Sequence, residues 1–208
     1  MKEDNKIKKL IGFNRFTLTF IFIYFLIGTG TTYAYLRYQV ENDSVIVGNI
    51  ISIDADLEVE LVVGSNTKMV PMLNDALSNA INGIGSNNGA CIDSVGNLSC
   101  QVYKITLINN GSRLQHLNGT IELYPKDGSG NAYTNLKWRE LTNTTTIKTN
   151  SIINGMSKSN LVSDLTMESK ETKIWYIAVW ISETDYDQVN TDKGDFGGTV
   201  TFENANAS

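Results

Sequence analysis

Short runs of alternating apolar and polar residues fill the second half of the chain and predict β-strands. In Leu57–Val63 (LEVELVV) aliphatic residues fall at every second position, with two glutamates between them. That period of two gives one buried face and one solvent face. Thr172–Ser182 (TKIWYIAVWIS) is apolar at nearly every position. We therefore expect it at the centre of a sheet whose two faces are both covered.

Further strands and one helix complete the predicted fold. Residues spaced three and four apart make Met69–Ile84 an amphipathic helix. The segment Ile152–Leu165 has no clear period. Other segments are rich in β-branched residues or alternate, and we predict strands at Val45–Ile53, Gln101–Asn109, Gly119–Tyr124, Tyr133–Leu141, Thr144–Thr149 and Gly198–Phe202. Eight or nine strands with one short helix predict an all-β protein, a jelly-roll-like β-sandwich.

The strongest apolar run lies before these strands. Phe16–Leu36 carries no charge, and the residues before it are rich in lysine. A cationic start, an apolar centre and a small-residue end are typical of an export signal. Thr32 and Ala34 are the small residues that signal peptidase requires, which predicts cleavage between Ala34 and Tyr35. The alternative is a retained N-terminal membrane anchor, since about 20 apolar residues span a bilayer.

This signal divides the chain into three parts. Residues 1–34 are the signal peptide or transmembrane helix, 35–203 an extracytoplasmic domain, and 204–208 a disordered tail. The whole chain has a net charge of −5, whereas residues 1–34 carry five basic and two acidic residues. The exported part is therefore strongly acidic. This charge argues against nucleic acid and anionic lipid as partners.

Two cysteines lie in the segment CIDSVGNLSC. In an exported chain, the pair Cys91 and Cys100 predicts a disulfide, and Gly96-Asn97 supplies a turn between them. Closing so short a loop is worth about 2–3 kcal/mol. The alternative is two free thiols. The spacing matches no zinc site, and His116 is the only histidine.

Catalytic motifs are scarce in this sequence. With one histidine it has neither a G-x-S-x-G nor an H-E-x-x-H motif, so we expect no enzyme activity. The loop after the predicted central strand is acidic and contains Asp185, Asp187, Asp192 and Asp195. These carboxylates form a candidate calcium site, although the EF-hand spacing is missing. We expect a solvated acidic loop with weak calcium affinity or none and no cofactor, and calcium binding is the alternative.

Several segments resemble one family of exported proteins. Gly28–Tyr35 (GTGTTYAY), the following VGNIISIDADLEVEL and the later WYIAVWISETDYDQVNTDKGDFGGTVTF are similar to segments of the TasA/camelysin family of Gram-positive surface and biofilm-matrix proteins. The resemblance implies a jelly-roll domain, release by a dedicated signal peptidase and, in some members, assembly into matrix fibres. Camelysins are described as metalloproteases, but this sequence has no matching metal motif.

The sequence thus predicts a secreted or cell-surface structural or adhesive protein without catalysis. Its expected partners are further copies of itself or other surface and matrix proteins. After cleavage, the β-prone Tyr35–Ile53 is a candidate donor strand for an open sheet edge on a neighbouring molecule. The alternative is that this segment pairs within its own sheet. Other functional hypotheses are a calcium- or carbohydrate-binding extracellular module and, third, a secreted hydrolase.

Overall fold

Two β-sheets packed face to face form the described part of the protein, as an all-β sandwich. A computed structural model describes residues 46–51, 53–83, 89–125, 135–149, 151–183 and 196–205. All of them belong to one unit of the chain, Asp43–Ser208. The predicted signal segment, its cleavage site and the acidic loop lie outside the described residues.

The described residues form nine strands and one α-helix, in the chain order that follows. The elements are β1 (Ile46–Ile51), β2 (Ala55–Val63), α1 (Leu77–Asn82), β3 (Cys100–Asn109), β4 (Gln115–Pro125), β5 (Leu136–Leu141), β6 (Ile153–Asn154), β7 (Ser159–Met167), β8 (Thr172–Ile181) and β9 (Phe196–Asn204). A 3-10 turn, Asn74–Ala76, leads directly into α1.

The strands divide into a four-stranded sheet A and a five-stranded sheet B. Sheet A has the order β1-β9-β4-β7, and sheet B has the order β2-β3-β8-β5-β6. Neighbouring strands are antiparallel with one exception, since β1 and β9 run parallel. The first and last strands of the described domain are therefore neighbours in one sheet.

Apolar side chains of β8 point to both faces of sheet B, as the sequence predicts. Trp175 points between the sheets, where its ring centroid lies 5.4 Å from that of Phe202 in β9. Trp180 lies in a second apolar cluster with Leu77 and Ile81 of α1. The main core thus lies between the sheets, and α1 covers the outer face of sheet B.

The predicted helix over Met69–Ile84 is wrong in its first half. Val70 donates its backbone N–H to the carbonyl of Leu98 at 2.8 Å, and Met72 donates to Ile181 at 2.9 Å. These bonds join the segment to the residues just before β3 and to the end of β8, so its backbone N–H groups are unavailable to a helix. The helical residues are confined to the 3-10 turn and α1.

Two further strand predictions differ from the structure, one in the type of element and one in its first residue. Thr144–Thr149 forms only an isolated bridge, between Leu141 and Ile147, because Asn143 caps a turn there. Its side-chain oxygen accepts the N–H groups of Thr145 and Thr146, each at 2.9 Å, which competes with strand pairing. β4 begins at Gln115, four residues before the predicted start at Gly119, so His116 lies in this strand.

Candidate functional site

The edges of the two sheets are the surfaces most open to another chain. In the described part of the protein, β1 and β7 are the edges of sheet A, and β2 and β6 are the edges of sheet B. An edge strand presents unpaired N–H and C=O groups, so it can pair with a strand from another molecule. Proteins commonly protect such edges with charges, bulges or very short strands.

Three of these four edges carry such protection. β2 alternates exposed acidic residues with core-facing residues, and its register shifts between Leu61 and Val63. β7 pairs with β4 through two register shifts, and Asp164 in it has a φ of 50°. β6 has only two residues, Ile153 and Asn154. Pairing with a further strand is unfavourable at each of these edges.

The fourth edge, β1, has none of these features. Its sequence IVGNII contains neither a charge nor a proline, and its pairing with β9 is regular from Ile46 to Ile51. Val47 is 49% exposed and Ile51 is 44% exposed. By composition and geometry, β1 is therefore the one unprotected edge among the described strands.

Few side-chain contacts hold β1 in place. Ile46 is its only buried side chain and reaches the main core. A Cβ added at Gly48 would lie 2.8 Å from Cγ of Leu57, so glycine allows β1 to approach β2 closely. Most of the attachment is the parallel ladder with β9, running from the Ile46–Gly198 pair to the Ile51–Glu203 pair. A strand held mainly by backbone pairing can exchange with an identical strand at low cost.

The predicted disulfide between Cys91 and Cys100 is present. Their Cα atoms are 4.7 Å apart, and both side chains are fully buried below α1. Cys91 also donates its N–H to the carbonyl of Ala80 in α1, at 2.6 Å. The disulfide therefore joins β3 to the hairpin of residues 91–99 that precedes it, and the hydrogen bond from Cys91 joins this hairpin to α1.

A carboxylate organises the turn of this hairpin. Asp93 Oδ1 accepts the N–H groups of Val95 at 2.9 Å and Asn97 at 2.8 Å. Burial raises the pKa of Asp93, but hydrogen bonds from Asn97, Val95 and Gly96 outweigh it and lower the pKa below its ordinary value of 3.8. The hydrogen bonds to the Asp93 carboxylate therefore stabilise the fold fully above the ordinary pKa of 3.8. This stabilisation is lost as the pH falls through the lowered pKa.

The hairpin also forms one wall of a groove of about 660 Å³. The opposite wall is the loop 64–68, where the carbonyl of Ser65 accepts a hydrogen bond from the side-chain amide of Gln101 at 2.7 Å. The groove lining mixes polar and apolar groups and includes Thr67, Asn97 and Leu98. The disulfide thus also fixes one side of this surface.

Removing the disulfide should weaken the domain measurably. For Cys91→Ala/Cys100→Ala we expect the free energy of unfolding in urea to fall by about 2–3 kcal/mol, because the unfolded chain gains loop entropy. Reductant should destabilise the natural chain and leave the double variant unchanged. Two alkylatable thiols in the unreduced, unfolded natural protein would contradict the bond.

The other predicted site residues lie outside the described residues. These are the cleavage pair Ala34 and Tyr35 and the acidic loop residues Asp185, Asp187, Asp192 and Asp195. Within the described ranges, no group of three or more His, Cys, Asp or Glu side chains is placed to hold a metal ion. The same ranges contain no helix with the length and apolar character needed to cross a bilayer.

His116 lies on β4 opposite Thr166 of β7. Its Nδ1 is 3.5 Å from Oδ1 of Asp164, and both side chains are partly exposed. The hydroxyl of Thr166 lies 3.4 Å from the same nitrogen, so the three side chains form a surface contact between neighbouring strands.

Comparison with known proteins adds no relative. No protein-family model, curated protein or solved structure matches this chain. The resemblance to TasA/camelysin proteins therefore rests on the sequence segments quoted above.

Proposed function

We propose that this chain is an exported structural protein of a bacterial surface or matrix and assembles through β1. The observation that carries the proposal is the contrast between β1 and the other sheet edges. β1 is uncharged, regular and exposes Val47 and Ile51, whereas β2, β6 and β7 are acidic, very short or bulged. An unprotected edge is an aggregation hazard unless pairing is its purpose.

Two routes of assembly use this edge. In the first, β1 stays in its own sheet, as the structure has it, and its free side pairs with a strand of another molecule. In the second, β1 leaves its sheet and fills the place beside β9 of a neighbour, which is the strand donation predicted from the sequence. Donation is head to tail and need not close, so it produces fibres.

The order of the strands supports a jelly-roll interpretation. Without β2, the strand orders of the two sheets are β1-β9-β4-β7 and β3-β8-β5-β6. Successive strands then alternate between the two sheets over most of the chain, as in the double Greek key of a jelly roll, from which the parallel pairing of β1 with β9 departs. In this interpretation β2 is an added strand, and its acidic residues protect the edge of sheet B.

Export is supported by the buried disulfide. Disulfides form and persist in oxidising compartments and are rare in the cytosol. Together with the cationic, then apolar, start of the sequence, the Cys91–Cys100 bond favours a location outside the membrane. We propose no catalytic role, since strand pairing requires none.

Pairing at the free side of β1 predicts that one charge on this strand abolishes assembly. Val47→Lys places a cation at an exposed position of this edge, so the fold should persist while fibres are lost. The matched control is Ile174→Lys, because Ile174 is 50% exposed but lies on β8, inside sheet B. Negative-stain microscopy and size-exclusion chromatography of the chain beginning at Tyr35 measure both effects.

A natural chain that stays monomeric at high concentration across pH and salt would contradict the proposal. A Val47→Lys variant whose fibres match those of the natural chain and of Ile174→Lys would contradict pairing at the free side of β1, which leaves strand donation as the route of assembly.

A further inference from the structure

The outer face of sheet A carries a row of uncharged polar side chains across all four of its strands. In register, Asn49 of β1 pairs with Thr201 of β9, Thr201 with Thr120 of β4, and Thr120 with Asn160 of β7. Neighbouring strands lie about 4.8 Å apart, so the row is a regular series of hydroxyl and amide groups. Asn49 and Asn160 are exposed and Thr201 is half-buried, whereas Thr120 is only 8% exposed. Such groups both donate and accept hydrogen bonds.

An aromatic ring lies at one end of the same face. Tyr124 of β4 pairs with Gly197 of β9, and Tyr124 is 46% exposed. A Cβ added at Gly197 would meet Cε2 of the tyrosine at 2.5 Å and Cζ at 2.8 Å. The ring therefore lies across the glycine backbone, which explains why glycine is needed there. One side of the ring is against the sheet, and the rest is open to solvent.

We propose that this face binds a neutral polysaccharide. The C–H groups of a sugar ring carry partial positive charge and pack against the negative face of an aromatic ring. Along β4 the polar row lies four residues from Tyr124, roughly 13 Å away, with Glu122 between them. When one sugar stacks on the ring, later sugars of the same chain meet the hydroxyl and amide groups of the row. An aromatic ring and a polar row on one face thus offer both contacts to an extended glycan.

Charge selects a neutral glycan over an anionic polymer. Glu122 and Glu203 point to this outer face, and Lys158 Nζ lies 3.8 Å from Oε1 of Glu203. A phosphate or sulfate polymer would meet carboxylates on this face, on a chain whose net charge is −5. A neutral chain of sugars carries no such penalty.

The inference goes beyond the proposed assembly, because it uses side chains on the outer face of sheet A, Asn49 of β1 included, rather than the backbone groups at the free edge of β1. Its test is affinity electrophoresis of the full chain, in neutral detergent, through gels containing hydroxyethyl cellulose, soluble starch or, as the anionic comparison, heparin. Pull-down with insoluble cellulose and chitin extends the panel. We expect retardation by at least one neutral glycan and none by heparin.

Three variants of the face make the test specific. Tyr124→Ala should lower the affinity for that glycan about tenfold, whereas Tyr124→Phe should stay within about twofold, because stacking needs the ring and not its hydroxyl. Thr201→Val keeps the side-chain volume and should weaken binding several-fold. It also tests the face independently if Tyr124→Ala fails to fold. Ile174→Ala, on the other sheet, is the matched control and should bind normally.

The proposal is overturned if no neutral glycan retards the natural chain, or if Tyr124→Ala and Thr201→Val both bind as well as Ile174→Ala. It is also overturned if Tyr124→Ala changes only the oligomeric state, since the face would then contact a second copy. Loss of fibres in Val47→Lys with glycan binding retained would leave the two proposals separate and both supported.

Discussion

Replacing Trp180 by aspartate should unfold the domain. The indole is fully buried in the cluster below α1, and its Nε1–H donates to Oδ1 of Asn74 at 3.0 Å. Removing a buried tryptophan side chain alone costs about 3–5 kcal/mol. The new carboxylate would be buried in an apolar cluster, and although Lys137 of β5 lies opposite it in register, removing the charge from water adds a further cost of several kcal/mol. The sum approaches the whole stability of a typical domain, about 5–15 kcal/mol.

The control lies on the same strand. Ile174 is 50% exposed, so Ile174→Asp introduces the same charge without burying it and should cost no more than about 1 kcal/mol. Trp175→Asp tests the other face of β8, where the ring packs against Phe202 in the main core. Circular dichroism and thermal melting report the result. Equal melting temperatures for Trp180→Asp and Ile174→Asp would contradict this placement of β8.

The second large effect concerns β1 supplied in trans. A chain without residues 1–51 loses the buried Ile46 side chain and the ladder along β9, which together are worth roughly 3 kcal/mol. For a domain of this size we expect the melting temperature to fall by about 10 °C. A synthetic peptide of residues 45–53 should bind the open side of β9 and restore most of the loss.

A peptide with Ile46→Asp is the matched control. Its backbone can pair, but the carboxylate would enter the core position that Ile46 fills, so it should restore nothing. Titration calorimetry and melting curves measure both peptides. If the natural peptide fails to bind while the truncated chain remains folded, β1 cannot be exchanged between molecules. Assembly would then depend on pairing at the free side of β1.

The strands with the strongest patterns were predictable because both of their faces have a definite environment. β2 alternates because one face packs on the core and the other meets water. β8 is apolar from Ile174 to Ile181, because sheet A covers one face and α1 with the hairpin covers the part of the other face that holds Ala178 and Trp180. In both strands the residue type follows from how deeply each position is buried, so the strand and its buried faces can be predicted from the sequence.

Other elements depend on distant partners that a local pattern cannot reveal. The extended course of Val70 and Met72 is decided by carbonyls of Leu98 and Ile181, far along the chain. β7 is interrupted by register shifts and by a left-handed residue at Asp164, which break its period of two. Strand pairing over long sequence separations and bulges inside strands are therefore the features that the local sequence pattern did not predict.

The candidate edge was only partly predictable. That Ile46–Ile51 is β-prone and uncharged is visible in the sequence, as is the acidic character of β2. That β1 ends up as an edge strand, parallel to β9, depends on the sheet topology. The row from Asn49 to Asn160 is equally non-local, since four separate segments contribute to it.

The parallel pairing of β1 with β9 has a mechanical consequence. A force that pulls the chain before Ile46 away from the chain after Asn204 acts along both strands and across their hydrogen bonds. All bonds of the ladder then share the load and must break together, whereas an unzipping geometry breaks them one at a time. If β1 fills the same place in a neighbouring molecule, each joint of the fibre inherits this shear geometry. Such a fibre would resist tension along its length while consisting only of non-covalent contacts.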